Sequence, residues 1–120
     1  EVLERVPFVT EYGVELGLLI DLLEAAGLDA MAQVDLGVRE HRHQSTPALG
    51  RMAAQIMLTA WSRLERQGRV VTPEPLNATL LQFDRDGRGR ARVSDVSVAE
   101  RPPLASVLAD PARAGSCDRT

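Results

Sequence analysis

One uninterrupted apolar stripe between residues 49 and 64 constrains the fold of this chain more than any other feature. Its members recur with the 3.6-residue period of an α-helix; they are Leu49, Met52, Ala53, Ile56, Met57, Ala60, Trp61 and Leu64. Thr46 and Pro47 supply an N-cap followed by proline at the first helical position, and Gly68 ends the pattern. We therefore predict a long helix here. Its large apolar side chains on so short a chain suggest that part of the stripe packs on another subunit.

The polar residues of this helix fall mostly outside the apolar stripe and are expected at the surface; they are Arg51, Gln55, Ser62, Arg63, Glu65 and Arg66. A second helix is predicted over residues 13–26, where Val14, Leu18 and Leu22 recur at intervals of four. Gly27 follows as a left-handed stop.

Residues 30–38 alternate between apolar and polar or small positions, which is the period of a β-strand. The apolar set is Ala30, Ala32, Val34, Leu36 and Val38. We expect this strand to follow the first helix and to deliver the next residues, 39–43, to the end of a sheet. Ligands of open α/β sheets usually bind at that end.

The remainder of the chain predicts one further motif, a β-hairpin. Residues 80–83 and 90–98 are the two predicted strands, and residues 86–89 are a turn that is rich in glycine. Residues 1–12 are expected to be irregular or extended, and Pro102 and Pro103 to end the regular structure. Residues 109–120 are predicted to be a disordered tail.

Composition excludes several classes of protein. The chain has 120 residues, enough for one modest core, and its net charge of −3 offers no basic surface for nucleic acid. Aromatic residues are only 3%, which disfavours stacking on single-stranded nucleic acid. Cys117 is the single cysteine, so no internal disulfide is expected. No apolar run is long enough to span a membrane, and no signal peptide is recognisable, so we expect a cytoplasmic protein without a membrane partner.

The sequence His41-Arg42-His43 is the first candidate site. Residues two apart in an extended segment point the same way, so both imidazoles could approach one cation. Arg39 and Arg42 could instead bind a phosphate or diphosphate. The alternative is that all four side chains are simply solvated polar groups beyond the end of a strand, and the residues alone leave these readings open.

The sequence Tyr12-Gly13-Val14-Glu15 is the second candidate site. A glycine at a helix start exposes backbone N–H groups that can receive an anion, and a neighbouring carboxylate can orient a hydroxyl or act as a base. An ordinary helix start, with Glu15 favoured by the helix dipole, explains the same residues.

Three segments, in this order and spacing, resemble glucosyl-3-phosphoglycerate synthases, which are retaining glycosyltransferases of GT-A fold. The segments are RVPF at 5–8 with YGVELGLLID at 12–21, GLDA at 27–30 with QVDLGVREHR at 33–42, and QF at 82–83 with ERPP at 100–103. The resemblance covers roughly residues 2–104. It implies an α/β chain with two main helices, one strand after the first helix and a C-terminal β-hairpin. Residues 1–108 would then form the C-terminal, acceptor-side and metal-side portion of such an enzyme.

The resemblance also implies an activity and its residues. These enzymes transfer glucose from UDP-glucose to the 2-hydroxyl of 3-phosphoglycerate with a divalent cation, Mg or Mn, and they are homodimers. By this resemblance His41 is a metal ligand, Arg39 lies near the diphosphate, and Glu15 is the hydroxyl-orienting or catalytic carboxylate. Tyr12, Gly13 and Val14 would bind substrate, whereas His43 stands where the family is expected to have an asparagine-like residue.

The resemblance leaves the nucleotide-binding half of such an enzyme unaccounted for, because the chain has no strand-helix repeats and no metal-binding Asp-x-Asp motif. We therefore expect a fragment that is inactive in isolation. Two alternatives remain open: a non-enzymatic dimerisation or interaction module derived from the same fold, and a synthase with another donor such as a mannosyl nucleotide.

Overall fold

The computed structural model describes residues 1–38, 43–84 and 87–110. Its elements in chain order are α1 (Val2–Arg5), β1 (Phe8–Val9), α2 (Val14–Ala26), α3 (Thr46–Arg66), β2 (Thr79–Phe83), β3 (Ala91–Asp95), β4 (Glu100–Arg101) and α4 (Leu104–Ala109). Two single-turn 3₁₀ helices, Glu11–Gly13 and Leu28–Ala30, lie on either side of α2. The two long helices pack on one another, and α3 also packs on the Glu11–Gly13 turn.

The two predicted long helices are confirmed, with local chemistry at their ends that explains their length. The N-cap of α3 is Ser45, one residue earlier than predicted, and its hydroxyl accepts a hydrogen bond from the Ala48 N–H at 3.4 Å. After Arg66 the chain turns at Gly68, which has a φ of 67°. α2 ends in the same way at Gly27, with a φ of 78°. Each helix is therefore followed by a glycine with positive φ whose N–H donates to a carbonyl of the last turn.

The predicted hairpin is also confirmed, because β2 and β3 pair antiparallel with Leu81 opposite Val93. The predictions for the chain ends were incomplete. The region expected to be irregular contains α1 and β1, and β1 pairs antiparallel with β4. Pro103 does not end regular structure: it is the N-cap of α4, a position where a missing N–H costs nothing. Within the predicted tail, Ala109 is the last residue of α4, and residues 111–120 lie outside the described residues.

The strand predicted over residues 30–38 is wrong for this chain. Residues 28–30 form a 3₁₀ turn, and residues 31–38 have neither helix nor strand structure. The side chains of Val34, Leu36 and Val38 are 74, 79 and 99% exposed. Two causes are visible: no described residue pairs with this segment, and a turn interrupts it. In that turn Gly37 has a φ of 67°, and its N–H donates to Asp35 Oδ1 at 2.8 Å.

Small and polar residues, rather than the predicted apolar stripes, form the centre of the interface between α2 and α3. On the α2 side Gly13, Gly17 and Asp21 recur at intervals of four and are buried. On the α3 side the buried residues are Gln55, Thr59 and Arg63, again at intervals of four. Residues four apart lie on one face of a helix, so two matched rows face each other along the contact.

Close approach explains why this row on α2 contains glycine. A Cβ at Gly13 would overlap the Thr59 hydroxyl and lie 2.9 Å from Thr59 Cβ, and a Cβ at Gly17 would lie 2.9 Å from Val9 Cγ2. Thr59 is only 1% exposed and donates its hydroxyl hydrogen to the Gln55 carbonyl at 2.9 Å. The turn that carries Tyr12 is therefore fixed firmly against the middle of α3.

Arg63 closes the other end of this interface. Its side chain is 3% exposed and forms ion pairs with Asp21 on α2 and Glu100 on β4, and Arg66 contacts the same Glu100 at 3.0 Å. Burial alone would lower the pKa of Arg63, but hydrogen bonds and attraction from the two carboxylates outweigh it and raise the pKa. This cluster joins α2, α3 and the β1–β4 ribbon.

Little apolar surface is buried within the described ranges. Val6, Val9 and Val96 are the buried apolar side chains, whereas Met57 on the predicted stripe of α3 is 71% exposed and Leu49 is 49% exposed. None of the helices among the described residues is both long and apolar enough to cross a membrane.

Candidate functional site

A polar cleft of about 500 Å³ lies between the Glu11–Gly13 turn, the first half of α3 and the end of β3. Its lining residues are Glu11, Tyr12, Gln44, Ala48, Arg51, Gln55, Asp95 and Ser97. Ala48, Arg51 and Gln55 are spaced by three and four residues, so α3 presents them on one face. The same face continues into Thr59 and Arg63, which hold α2. The packing that places the turn against α3 therefore also shapes the cleft.

Gln55 is the most buried side chain of the cleft. It is 9% exposed, yet its amide group makes no hydrogen bond to any residue in the described part of the chain. Among the described residues the one side-chain atom that is both shielded from solvent and unpaired is Gln82 Oε1, which lies elsewhere. The amide of Gln55 is therefore open to the cleft, where water or a ligand can hydrogen-bond with it.

The charges of the cleft are mixed. Arg51 is the one cation among its described lining residues, and it forms no ion pair with another described residue. Glu11 and Asp95 contribute two carboxylates. The backbone N–H of Ser97 donates to Asp95 Oδ1 at 2.8 Å, and this bond, with a further one from the Ser97 side chain, lowers the pKa of Asp95. Asp95 is therefore a carboxylate at neutral pH.

Glu11 has a strained backbone at the edge of the cleft. Its φ of 61° makes it the one non-glycine residue with positive φ within the described ranges. Such a conformation costs on the order of 1–3 kcal/mol and occurs preferentially at binding and catalytic sites. This backbone conformation of Glu11 turns the chain from β1 into the 3₁₀ turn that carries Tyr12.

The predicted residues of the Tyr12-Gly13-Val14-Glu15 motif occupy different environments. Tyr12 lines the cleft and is 48% exposed. Gly13 is buried against Thr59, so packing alone accounts for a glycine there. Val14 is half-buried at the first position of α2, and Glu15 is exposed in its first turn without lining the cleft. Substrate binding by Tyr12, Gly13 and Val14 and catalysis by Glu15 stay predictions.

Arg39 and His41 lie outside the described residues. Of the candidate site His41-Arg42-His43 only His43 is described, and it is exposed. Gln44, directly after it, lines the cleft. Within residues 1–38, 43–84 and 87–110 no three side chains of the His, Cys, Asp and Glu types converge as metal ligands. The described residues therefore do not make a complete metal site on their own.

Sequence reasoning missed Arg51, Gln55, Asp95 and Ser97 as lining residues of a site. Arg51 and Gln55 were assigned to a solvated helix face because both lie outside the apolar stripe. The available signal was the spacing of four that joins Gln55, Thr59 and Arg63. That spacing matches Gly13, Gly17 and Asp21 on the preceding helix, and matched rows of this kind predict a polar interface.

The chain is similar to curated glucosyl-3-phosphoglycerate synthases. It is 42% identical over 111 residues to the enzyme of that name from Mycolicibacterium paratuberculosis, a match that covers 89% of this chain and 32% of the relative. The chain thus spans about a third of the length of the curated relatives it matches. No protein-family model matches it.

Solved structures agree with the sequence match. Mannosyl-3-phosphoglycerate synthase from Rubrobacter xylanophilus aligns with a TM-score of 0.79 at 34% identity, over 88% of this chain and 36% of that one. Glucosyl-3-phosphoglycerate synthase from Mycobacterium tuberculosis, in complex with Mn²⁺, UDP-glucose and phosphoglyceric acid, aligns with a TM-score of 0.72 at 38% identity, over 88% and 33%. These matches confirm the predicted fold class, a segment of a GT-A glycosyltransferase with two main helices and a hairpin.

Proposed function

Because this chain is a glucosyl-3-phosphoglycerate synthase-like segment of a glycosyltransferase, we propose that it is the C-terminal, acceptor-side portion of an enzyme that transfers glucose from UDP-glucose to the 2-hydroxyl of 3-phosphoglycerate. The observation that carries the proposal is the match over nearly nine-tenths of this chain to a relative solved with UDP-glucose and phosphoglyceric acid. The rest of the enzyme, including its nucleotide-binding half, would lie outside the 120 residues.

The cleft supports this proposal because one candidate motif lines it and the chain of the other ends beside it. Tyr12 forms one wall, and Gln44 on another wall follows His41 by only three residues. Three residues of chain span at most about 11 Å. We therefore propose that a substrate in the cleft also meets the His41 motif.

The proposed reaction breaks the bond between the anomeric carbon of glucose and the β-phosphate oxygen of UDP. A new bond forms from that carbon to the acceptor oxygen, and the hydroxyl proton passes to Glu15 or to an oxygen of the departing diphosphate. Retention requires the acceptor hydroxyl on the same face as the leaving group, so positioning supplies much of the rate. Glu15 is the proposed carboxylate that orients or deprotonates this hydroxyl. Tyr12, Gly13 and Val14 would hold the substrate, and Arg39 would contact the diphosphate.

A divalent cation, Mg or Mn, is part of the proposal, and its support is the relative solved with Mn²⁺. Imidazole nitrogen is a suitable ligand for such an ion, so His41 is the residue of this chain that would hold it. The other ligands would come from outside the chain, in keeping with the incomplete donor set of the described residues. When bound, the cation would stabilise negative charge on the departing diphosphate.

Two exposed apolar surfaces support further partners. The alternating residues Val34, Leu36 and Val38 are exposed, as expected of a segment whose neighbour belongs to the missing half. Met57 and Leu49 on α3 are exposed as well, and we propose that this stripe lies in a homodimer interface. We also propose that the enzyme is cytoplasmic; the single cysteine, which excludes a disulfide within the chain, is compatible with a reducing compartment.

A second candidate is a synthase with a mannosyl nucleotide donor, favoured by the TM-score of 0.79 to a mannosyl-3-phosphoglycerate synthase. The non-enzymatic alternative is a dimerisation module that keeps the fold without the chemistry. The first alternative differs from the main proposal in the sugar donor, and the second differs in having no transferase activity.

The test is an assay of the full-length enzyme with 3-phosphoglycerate and a panel of sugar nucleotides in the presence of Mg²⁺ or Mn²⁺. We expect UDP release and a glucosylated acid with UDP-glucose, and no turnover by the isolated 120 residues. Preference for a mannosyl nucleotide would support the second candidate. Absence of transfer from every donor would contradict the enzymatic proposal and support the module.

A further inference from the structure

We propose that Gln55 and Asp95 form a hydroxyl-binding subsite for the hexosyl group of the donor, so that they help to determine which sugar is transferred. This inference rests on the proposed function and extends it to two residues that the resemblance does not assign. It follows from the hydrogen-bonding state of Gln55, the charge balance of the cleft and the positions of its donors and acceptors.

The amide of Gln55 is the first argument. Gln55 as a residue is 9% exposed and lines the cleft, and its amide, which is open to the cleft, has no hydrogen-bond partner within the described part of the chain. Its backbone carbonyl is already used by Thr59, which fixes this turn of α3 and limits how far the side chain can relax. An amide offers both donors and an acceptor, so a ligand hydroxyl, which both donates and accepts, satisfies it.

The charge balance is the second argument, and it favours an uncharged ligand over an anion. Among the described lining residues there are two carboxylates, Glu11 and Asp95, and one guanidinium, Arg51. The lowered pKa of Asp95 keeps that carboxylate ionised. A phosphate or carboxylate that lay against these three side chains would meet a net negative charge and would lose its own hydration. A neutral polyhydroxylated group meets no such penalty, since its hydroxyls donate to the carboxylates.

The arrangement of the lining is the third argument. Arg51 and Gln55 lie on one wall, on α3, and Arg51 can only donate hydrogen bonds. Asp95 lies on a different element, at the end of β3, and its carboxylate accepts. A hexose has hydroxyls around its ring that can meet a donor wall and an acceptor wall at once. The volume of about 500 Å³ lies within the usual range for small-molecule sites.

The test compares full-length wild-type enzyme with Gln55→Met and Asp95→Asn, using UDP-glucose and analogues in which one sugar hydroxyl at a time is replaced by hydrogen. Gln55→Met keeps the length of the side chain and removes its hydrogen bonds. Asp95→Asn keeps an oxygen for the Ser97 N–H and removes the charge. We expect each variant to lower kcat/KM for UDP-glucose by about 10-fold. With the analogue that lacks the bound hydroxyl, variant and wild type should agree within about twofold.

Gln67→Met is the matched control, because Gln67 is the C-cap residue of the same helix and lies outside the cleft. It should leave kcat/KM unchanged for every donor. An equal loss by Gln55→Met across all analogues would overturn the inference and indicate a structural role. No loss with UDP-glucose would overturn it as well.

Two further controls separate the possible failures. If Gln55→Met lowers the melting temperature of the enzyme, Asp95→Asn decides the question, because Asp95 is exposed and its replacement does not disturb a core. Failure of the proposed function is recognised separately, as wild-type enzyme that transfers no sugar from any donor.

Discussion

The guanidinium of Arg63 donates two hydrogen bonds to the carboxylate of Asp21, over 3.0 and 2.6 Å, although the two residues are 42 positions apart. Both side chains are less than one-tenth exposed. A planar fork that meets a carboxylate with two parallel bonds fixes orientation as well as distance. This pair therefore sets how α2 lies on α3, and through Gly13 it fixes the turn that forms one wall of the cleft.

Replacement of Asp21 by asparagine should destabilise the enzyme strongly, since Arg63 would keep its buried charge with Glu100 as its one remaining carboxylate. Breaking a buried ion pair by removing one partner costs about 3–5 kcal/mol. We expect thermal unfolding of Asp21→Asn to begin at a clearly lower temperature than that of wild type. Asp29→Asn, an exposed position in the Leu28–Ala30 turn, is the control and should match wild type. Equal melting curves for both variants would contradict the structural role of the pair.

Alanine at Gly13 should disturb the contact between the turn and α3, because its Cβ would overlap the Thr59 hydroxyl. Overpacking of this kind costs about 1–3 kcal/mol. The double variant with Thr59→Ala should recover part of the loss, with a coupling of about 1 kcal/mol in thermal unfolding. Additive effects would show that the two residues do not meet.

Glu15→Gln in the full-length enzyme should lower kcat by at least about 100-fold, as expected when a group that handles the acceptor proton is removed. UDP affinity, measured by calorimetry, should stay within about twofold, because the exposed Glu15 carboxylate is proposed to act on the acceptor. Glu24→Gln on the same helix is the control for a carboxylate that is exposed without a proposed role. A parallel loss of UDP affinity would make Glu15 a structural residue.

His41→Ala should remove most metal-dependent turnover, by about 100-fold or more, because the cation would lose a ligand and the departing diphosphate its stabilisation. UDP release is measured while the concentration of Mn²⁺ is raised. We expect the variant to need a higher concentration for half-maximal activity. Near-normal turnover with an unchanged requirement for Mn²⁺ would remove His41 from the site.

Met57→Glu should shift a homodimer towards monomers, because it places a charge in the proposed interface on α3. Sedimentation velocity of the full-length enzyme measures the change. Leu108→Glu on α4 is a matched control, since Leu108 and Met57 are both 71% exposed. If neither substitution alters the sedimentation coefficient, the stripe of α3 does not form the interface.

Periodicity and helix-end chemistry predicted the elements whose stability is local. The two long helices and the hairpin follow from apolar spacing and from glycine or proline at their ends. Pairing of β1 with β4 could not be predicted, because each strand has two residues and they join positions 8–9 to 100–101. The prediction of a strand over residues 30–38 was wrong although the pattern is that of a strand. A strand needs a neighbour to pair with, and Gly37 takes a positive φ that strands do not have.

The sequence predicted only some of the residues that line the cleft. Tyr12 could be found because it belongs to a motif, whereas Gln55 and Arg63 read as solvated residues on the polar side of a helix. A buried polar side chain is tolerated only where partners meet it, and the two carboxylate partners of Arg63, Asp21 and Glu100, lie 42 and 37 positions away. Spacing within one helix does not contain that information. The structure supplies it by bringing the two rows together.

The exposed residues Val34, Leu36 and Val38 have a practical consequence for work on this polypeptide. These apolar side chains stand at every second position, and no described residue covers them. Such a segment can associate with the same segment of another copy of the chain. The isolated 120 residues should therefore aggregate when concentrated. Co-expression with the proposed nucleotide-binding half should keep them in solution.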